Sequence, residues 1–127
     1  MYLFHPILKE VLWGGAAICP FKNLPSDPRK IGESWEVSDV ENRSSIVADG
    51  PEEGVGLGDL VRRHGADLVG RSVMERFGKR FPLLIKFIDA RDDLSVQVHP
   101  GDELALQRHG SFGKTEMWLS LIHISEP

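Results

Sequence analysis

Two short segments of the chain hold side chains that could bind a metal ion together. The first is Leu94-Ser95-Val96-Gln97-Val98-His99-Pro100. Successive side chains of an extended strand alternate between faces. Leu94, Val96 and Val98 therefore share one face, and Ser95, Gln97 and His99 the other. Lys, Glu and Thr are the usual occupants of a solvated strand face, whereas Ser, Gln and His together suit the lining of a polar pocket. The second segment is Gly113-Lys114-Thr115-Glu116-Met117-Trp118, where alternation puts Lys114, Glu116 and Trp118 on one face. If the two strands are neighbours, His99 and Glu116 can converge on one ion. Imidazole nitrogen, carboxylate oxygen and amide oxygen form a borderline-to-hard donor set, suited to Zn²⁺ and acceptable to Mn²⁺, Fe²⁺ or Co²⁺. Spacing alone also allows a solvated strand face with an incidental histidine.

The elements that must position these residues can be followed along the chain. Leu3 to Trp13 is apolar around a break at Pro6 and ends on Gly14-Gly15, a pair suited to a turn or a close backbone approach. Pro20 to Lys30, with three prolines, reads as a loop. Ser34 to Ser38 alternates, with Trp35 and Val37 on one face and Ser34, Glu36 and Ser38 on the other, and predicts a strand with a polar face. Ser45 to Ala48 predicts a second strand, closed by the turn signal Asp49-Gly50-Pro51. Leu57, Leu60 and Val61 have helical spacing with Gly65 as the stop; Leu68, Val69, Val73 and Phe77 continue it to Gly78. This stripe is expected to pack a core. Pro82 to Ala90 and Leu94 to His99 have the length and composition of strands. A short helix over Glu103 to Arg108 and a last strand over Thr115 to Ile124 follow. Several strands with few helices imply a mainly β fold, an antiparallel sheet, sandwich or barrel with a small helical insertion.

Composition narrows the class. At 127 residues the chain suits one domain with a real core. Apolar content of 41% and charged content of 27% are those of soluble globular proteins. A net charge of -4, with no basic block, argues against a nucleic-acid partner or an acidic membrane surface. The single cysteine, Cys19, has no internal disulfide partner and reads as a small buried side chain in a reducing compartment. The N-terminus lacks the pattern of a signal peptide, and no apolar run approaches the ~20 residues that span a bilayer. A cytoplasmic location is expected.

Gln97-Val98-His99-Pro100 followed by Gly113-Lys114-Thr115-Glu116-Met117-Trp118 resembles the metal-binding signature of the type I mannose-6-phosphate isomerases, a branch of the cupin superfamily. Trp13-Gly14-Gly15 is similar to an early Trp-Gly-Gly motif of that family. Gly32-Glu33-Ser34-Trp35-Glu36-Val37-Ser38 and Pro82-Leu83-Leu84-Ile85-Lys86 resemble two further family segments. The resemblance runs from about Leu3 to Trp118. It implies a partial cupin-like, jelly-roll β-barrel over residues 1–118 and a zinc ion held by Gln97, His99 and Glu116. It further implies reversible isomerisation of D-mannose 6-phosphate and D-fructose 6-phosphate. Trp13, Ser95 and Lys114 match family positions lining the sugar-phosphate pocket, with Ser95 and Lys114 also expected to serve catalysis.

Two family features have no match here: a fourth zinc ligand, a histidine on a later strand, and a later arginine implicated in catalysis. Residues 119–127 depart from the family pattern and resemble the translation of a sequencing-library adapter. His123 falls on the opposite face from Glu116 by alternation and makes a poor substitute ligand. A partial barrel would also leave strand edges open to self-association. A non-catalytic metal- or sugar-binding fragment is therefore the alternative expectation. Zinc is expected to bind weakly, and His99→Ala to weaken it further by removing the nitrogen ligand. Calorimetry checks this; equal binding by both proteins would place the ion elsewhere.

Overall fold

The computed structural model describes residues 1–40, 42–94 and 115–121. The chain divides into two units, Met1–Leu94 and Ser95–Pro127. In the first, β1 (Ile7–Gly15) starts directly after Pro6, and α1 (Ile18–Phe21) follows it. Next come β2 (Ile31–Val37) and the short pair β3 (Asp39–Val40) and β4 (Arg43–Ser44). Three helices, α2 (Leu57–His64), α3 (Ala66–Val69) and α4 (Arg71–Phe77), separate these from β5 (Ile85–Ile88). The fold is mainly β, with antiparallel sheets and a helical insertion, as the alternation pattern predicts.

β2 is the centre of a three-stranded antiparallel sheet ordered β1-β2-β5. Its register sets Ile7, Leu8 and Lys9 opposite Trp35, Ser34 and Glu33. On the other side Glu33, Ser34 and Trp35 face Ile88, Phe87 and Lys86. The β1 register slips twice, so that Glu10 and Gly15 both lie opposite Ile31. That irregularity curls the end of β1 over the start of β2. Because β2 is flanked on both sides, all five residues from Ile31 to Trp35 are buried. The predicted polar face is therefore not a wet one: Ser34 and Ser38 are fully buried. They are satisfied locally, Ser34 donating to Glu36 (2.6 Å) and Ser38 donating and accepting through its backbone N–H and Oγ.

The predicted strand over Ser45 to Ala48 is instead a pair of isolated bridges, Phe4 to Val47 and Ile46 to Gly56. Val47 donates to the Val55 carbonyl and Gly54 to the Val47 carbonyl, so the Asp49-Gly50-Pro51 turn folds this stretch back on itself. α2 behaves as its spacing predicts: Leu57, Leu60 and Val61 are buried, and the chain leaves the helix at Gly65 with φ 52°. The continuation differs. Gly70, at φ 87°, breaks the stripe into α3 and α4, and neither helix buries a residue fully. Glycine reaches this left-handed backbone without a Cβ clash, so the periodicity is real but interrupted. Val69 and Phe77 are only half-buried.

In the second unit, the strand predicted over Thr115 to Ile124 is absent from the described residues 115–121, all of which are exposed. A strand requires a ladder partner for its backbone groups, and composition alone does not supply one. The predicted strand over Leu94 to His99, apart from Leu94, and the helix predicted over Glu103 to Arg108 lie outside the described residues. Among the described residues no helix is long and apolar enough to cross a membrane.

Leu60 is fully buried, whereas Leu12 in β1 is 90% exposed. Leu60→Ala should cost about 2–5 kcal/mol of unfolding free energy, and Leu12→Ala less than about 0.5 kcal/mol. Urea denaturation checks both; comparable losses would misplace the core.

Candidate functional site

Two local structures stand at the positions singled out by sequence. The first is the junction of Trp13-Gly14-Gly15 with Gly32. A Cβ on Gly14 would stand 2.6 Å from the Lys30 carbonyl oxygen and 2.7 Å from the Gly32 nitrogen. A Cβ on Gly32 would overlap Val11 and come within 2.8 Å of Trp13 Cζ3. Gly14 and Gly32 thus remove side-chain volume so that the end of β1 can cross the start of β2 with the Trp13 ring against it. The sequence reading of close backbone approach is met here. Trp13 is half-buried, and its carbonyl accepts from the Arg91 N–H (2.8 Å).

The second is a charged ladder across β1, β2 and β5 that sequence reasoning quoted piecemeal and did not assemble. Glu33, only 7% exposed, accepts from Lys86 Nζ at 2.5 Å and from Trp35 Nε1 at 3.3 Å. Lys9 Nζ lies 3.6 Å from its other side. Lys9, Arg43 and Lys86 stand 5.0, 5.3 and 5.9 Å from the Trp35 ring centre. These are cation–π distances. Burial by itself would raise the Glu33 carboxyl, but the hydrogen bond and charge of Lys86, the Trp35 indole and the Lys9 charge carry it below its ordinary value. The signal available in the sequence was register: Glu33 and Trp35 two apart on one strand, and Lys86 a lone cation within the apolar strand Pro82 to Ala90. By alternation Gly32 and Ser34 point one way from β2, Glu33 and Trp35 the other. The Trp13 ring and the Glu33 ladder therefore occupy opposite faces of that strand.

Of the predicted site residues, Trp13 and Glu116 fall within the described portions. Glu116 is exposed, in the second unit. Ser95, Gln97, His99 and Lys114 lie outside the described residues. Among the described residues no three His, Cys, Asp or Glu side chains group to hold a metal ion. The proposed set fits zinc by donor chemistry, with one amide oxygen, one imidazole nitrogen and one carboxylate. Cys19, buried in α1, is not part of that set.

The sheet and its helical insertion are those of known sugar-phosphate isomerases. The crystal structure of the mannose 6-phosphate isomerase from Bacillus subtilis matches with a TM-score of 0.73 at 34% identity, over 88% of this chain and 34% of that one. Residues 1–117 match the family of the phosphomannose isomerase type I catalytic domain, and the chain belongs to that family. It is 44% identical over 117 residues to the mannose-6-phosphate isomerase ManA of Bacillus subtilis strain 168, covering 91% of this chain and 35% of the relative. It is 39% identical over 111 residues to the mannose-6-phosphate isomerase of Streptococcus mutans, covering 87% of this chain and 34% of that protein. The chain thus spans about a third of the length of the curated relatives it matches.

The ladder makes a pH prediction. With its folded-state pKa lowered, Glu33 contributes stability that is complete above its unfolded-state value and is lost as pH falls through the folded one, below about pH 4.3. Glu33→Gln should be less stable at neutral pH and show a shallower acid limb in a pH series of urea midpoints. An unchanged limb would mean that Glu33 is not held ionised by its lysines.

Proposed function

We propose that this chain carries the N-terminal part of a zinc-dependent isomerase that interconverts D-mannose 6-phosphate and D-fructose 6-phosphate in the cytoplasm. The observation that carries the proposal is the match of residues 1–117 to the catalytic domain of type I phosphomannose isomerases, a span that includes Gln97, His99 and Glu116. Gln97, His99 and Glu116 would hold the zinc. When bound, the ion would polarise the sugar oxygens and stabilise negative charge developing on them.

The chain's own residues would do the rest. Trp13, half-buried with its ring against Gly32, offers a flat apolar wall for the sugar. Ser95 and the Lys114 ammonium would bind the anionic sugar phosphate and orient its C1 and C2 for the proton transfer between them. Sequestered from water, a lysine beside a phosphate gains more than it would in bulk solvent.

Alone, the 127-residue chain is expected to turn over little substrate. The family's remaining ligand and its catalytic arginine have no counterpart among its residues. Misplacing a reacting group by about 1 Å costs on the order of a hundredfold, and a missing acid–base group about 10²–10⁴-fold. A coupled assay for fructose 6-phosphate formation should find little activity in this chain. Activity is expected when the chain is extended with the C-terminal region of a relative. Robust zinc-dependent turnover by the 127 residues alone would overturn this assignment of required groups.

A further inference from the structure

We propose that Asp89, a residue outside every motif considered above, is the positioning residue for Trp13. The functional consequence rests on the reading of Trp13 as a sugar-phosphate contact, but the positioning itself does not. Asp89 follows β5 and is tied to both neighbouring strands through its backbone. Its N–H donates to the Gly32 carbonyl at 2.9 Å, and its own carbonyl accepts from Gly15 at 3.2 Å. Its side chain adds a third tie: Oδ2 accepts from the Ala17 N–H at 2.7 Å. The carboxyl group lies directly over Gly15, where a Cβ would come within 2.8 Å of Asp89 Cγ.

The ties continue on either side. Gly14 and Ala90 form a bridge, and the Trp13 carbonyl accepts from Arg91. Residues 89–91 therefore clamp residues 13–17, and Asp89 is the one member that does so with a side chain. The register of β1 slips on approaching Gly15, so the regular ladder does not fix this stretch. A strand end freed from its ladder needs another constraint to hold a large ring in one place, and the carboxylate supplies it. With the carboxylate bound at Ala17 and seated on Gly15, the backbone at Trp13 cannot slide along β2. Its ring then has one seat, the bare Cα of Gly32.

The side-chain indole N–H cross-peaks of the full 127-residue chain in a ¹H–¹⁵N spectrum test this, with Trp13 assigned through Trp13→Phe. Trp35, buried on β2 and hydrogen-bonded to Glu33, serves as the internal control for the core. In Asp89→Ala the Trp13 peak should shift or broaden while the Trp35 peak stays. Gly15→Ala, which crowds the carboxylate, should reproduce the effect. Asp89→Asn keeps an acceptor oxygen for Ala17 and should return the Trp13 peak to its native position. An unmoved Trp13 peak in both disruptive variants would overturn the proposal. So would equal displacement of Trp35, or outright unfolding of Asp89→Ala, since either marks a general structural role. Adding mannose 6-phosphate to the wild-type chain separates the two claims. A silent Trp13 peak would sink its role as a sugar-phosphate contact and leave the clamp standing. A response that is lost in Asp89→Ala and restored in Asp89→Asn would join them.

Discussion

A carboxylate buried in the central strand of a sheet must be neutralised where it stands, and in this protein Glu33 imposes that requirement on the three strands around it. Taking an ion out of water costs several kcal/mol even after relaxation, and attraction within the protein offsets this only with good geometry and full hydrogen bonding. Lys86 on β5, Lys9 on β1 and the Trp35 indole supply both. The consequence is register. A one-residue slip of either outer strand would turn its lysine to the far face and leave the carboxylate with an uncompensated charge. Apolar pairing alone tolerates such shifts far better, so the ladder specifies the arrangement as well as stabilising it.

The opposite face of β2 is governed by volume. Gly14 admits the Lys30–Gly32 backbone that a side chain would hold away, Gly32 leaves room for Val11 and the Trp13 ring, and Gly15 leaves room for the Asp89 carboxylate. Charge on one face and excluded volume on the other together place the end of β1. Neither is concentrated in the helices. Those contribute Leu57, Leu60 and Val61 to the core, while α3 and α4 remain on the surface.

Much of this was legible in the residues. Alternation found β2 with Trp35 on one face, composition found β5, the apolar spacing found α2, and the Gly14-Gly15 pair announced a close approach. The misses have physical causes. Periodicity sees side chains and not backbone dihedrals, so the break at Gly70 was hidden in an unbroken apolar stripe. Alternation gave a polar face to the strand but not its burial: Ser34 and Ser38 are buried, with hydroxyl partners close by in sequence. Strand composition over 115–121 carried no information about a ladder partner. The Glu33 ladder and the Asp89 clamp depend on residues more than 50 positions apart, and pattern within a short window cannot join them. The proposed metal ligands rest on family resemblance, since spacing left a solvated strand face open.

Membership of the type I phosphomannose isomerase family and the proposed donor set Gln97, His99 and Glu116 together predict what the first coordination shell of a bound zinc ion would contain. X-ray absorption at the zinc edge of the metal-loaded chain tests that shell directly. It should contain nitrogen and oxygen only, at about 2.0–2.2 Å, with an imidazole outer-shell signal that disappears in His99→Ala. A sulfur scatterer at about 2.3 Å would assign the metal to Cys19, and an imidazole signal surviving in His99→Ala would assign it to another histidine; either contradicts the account.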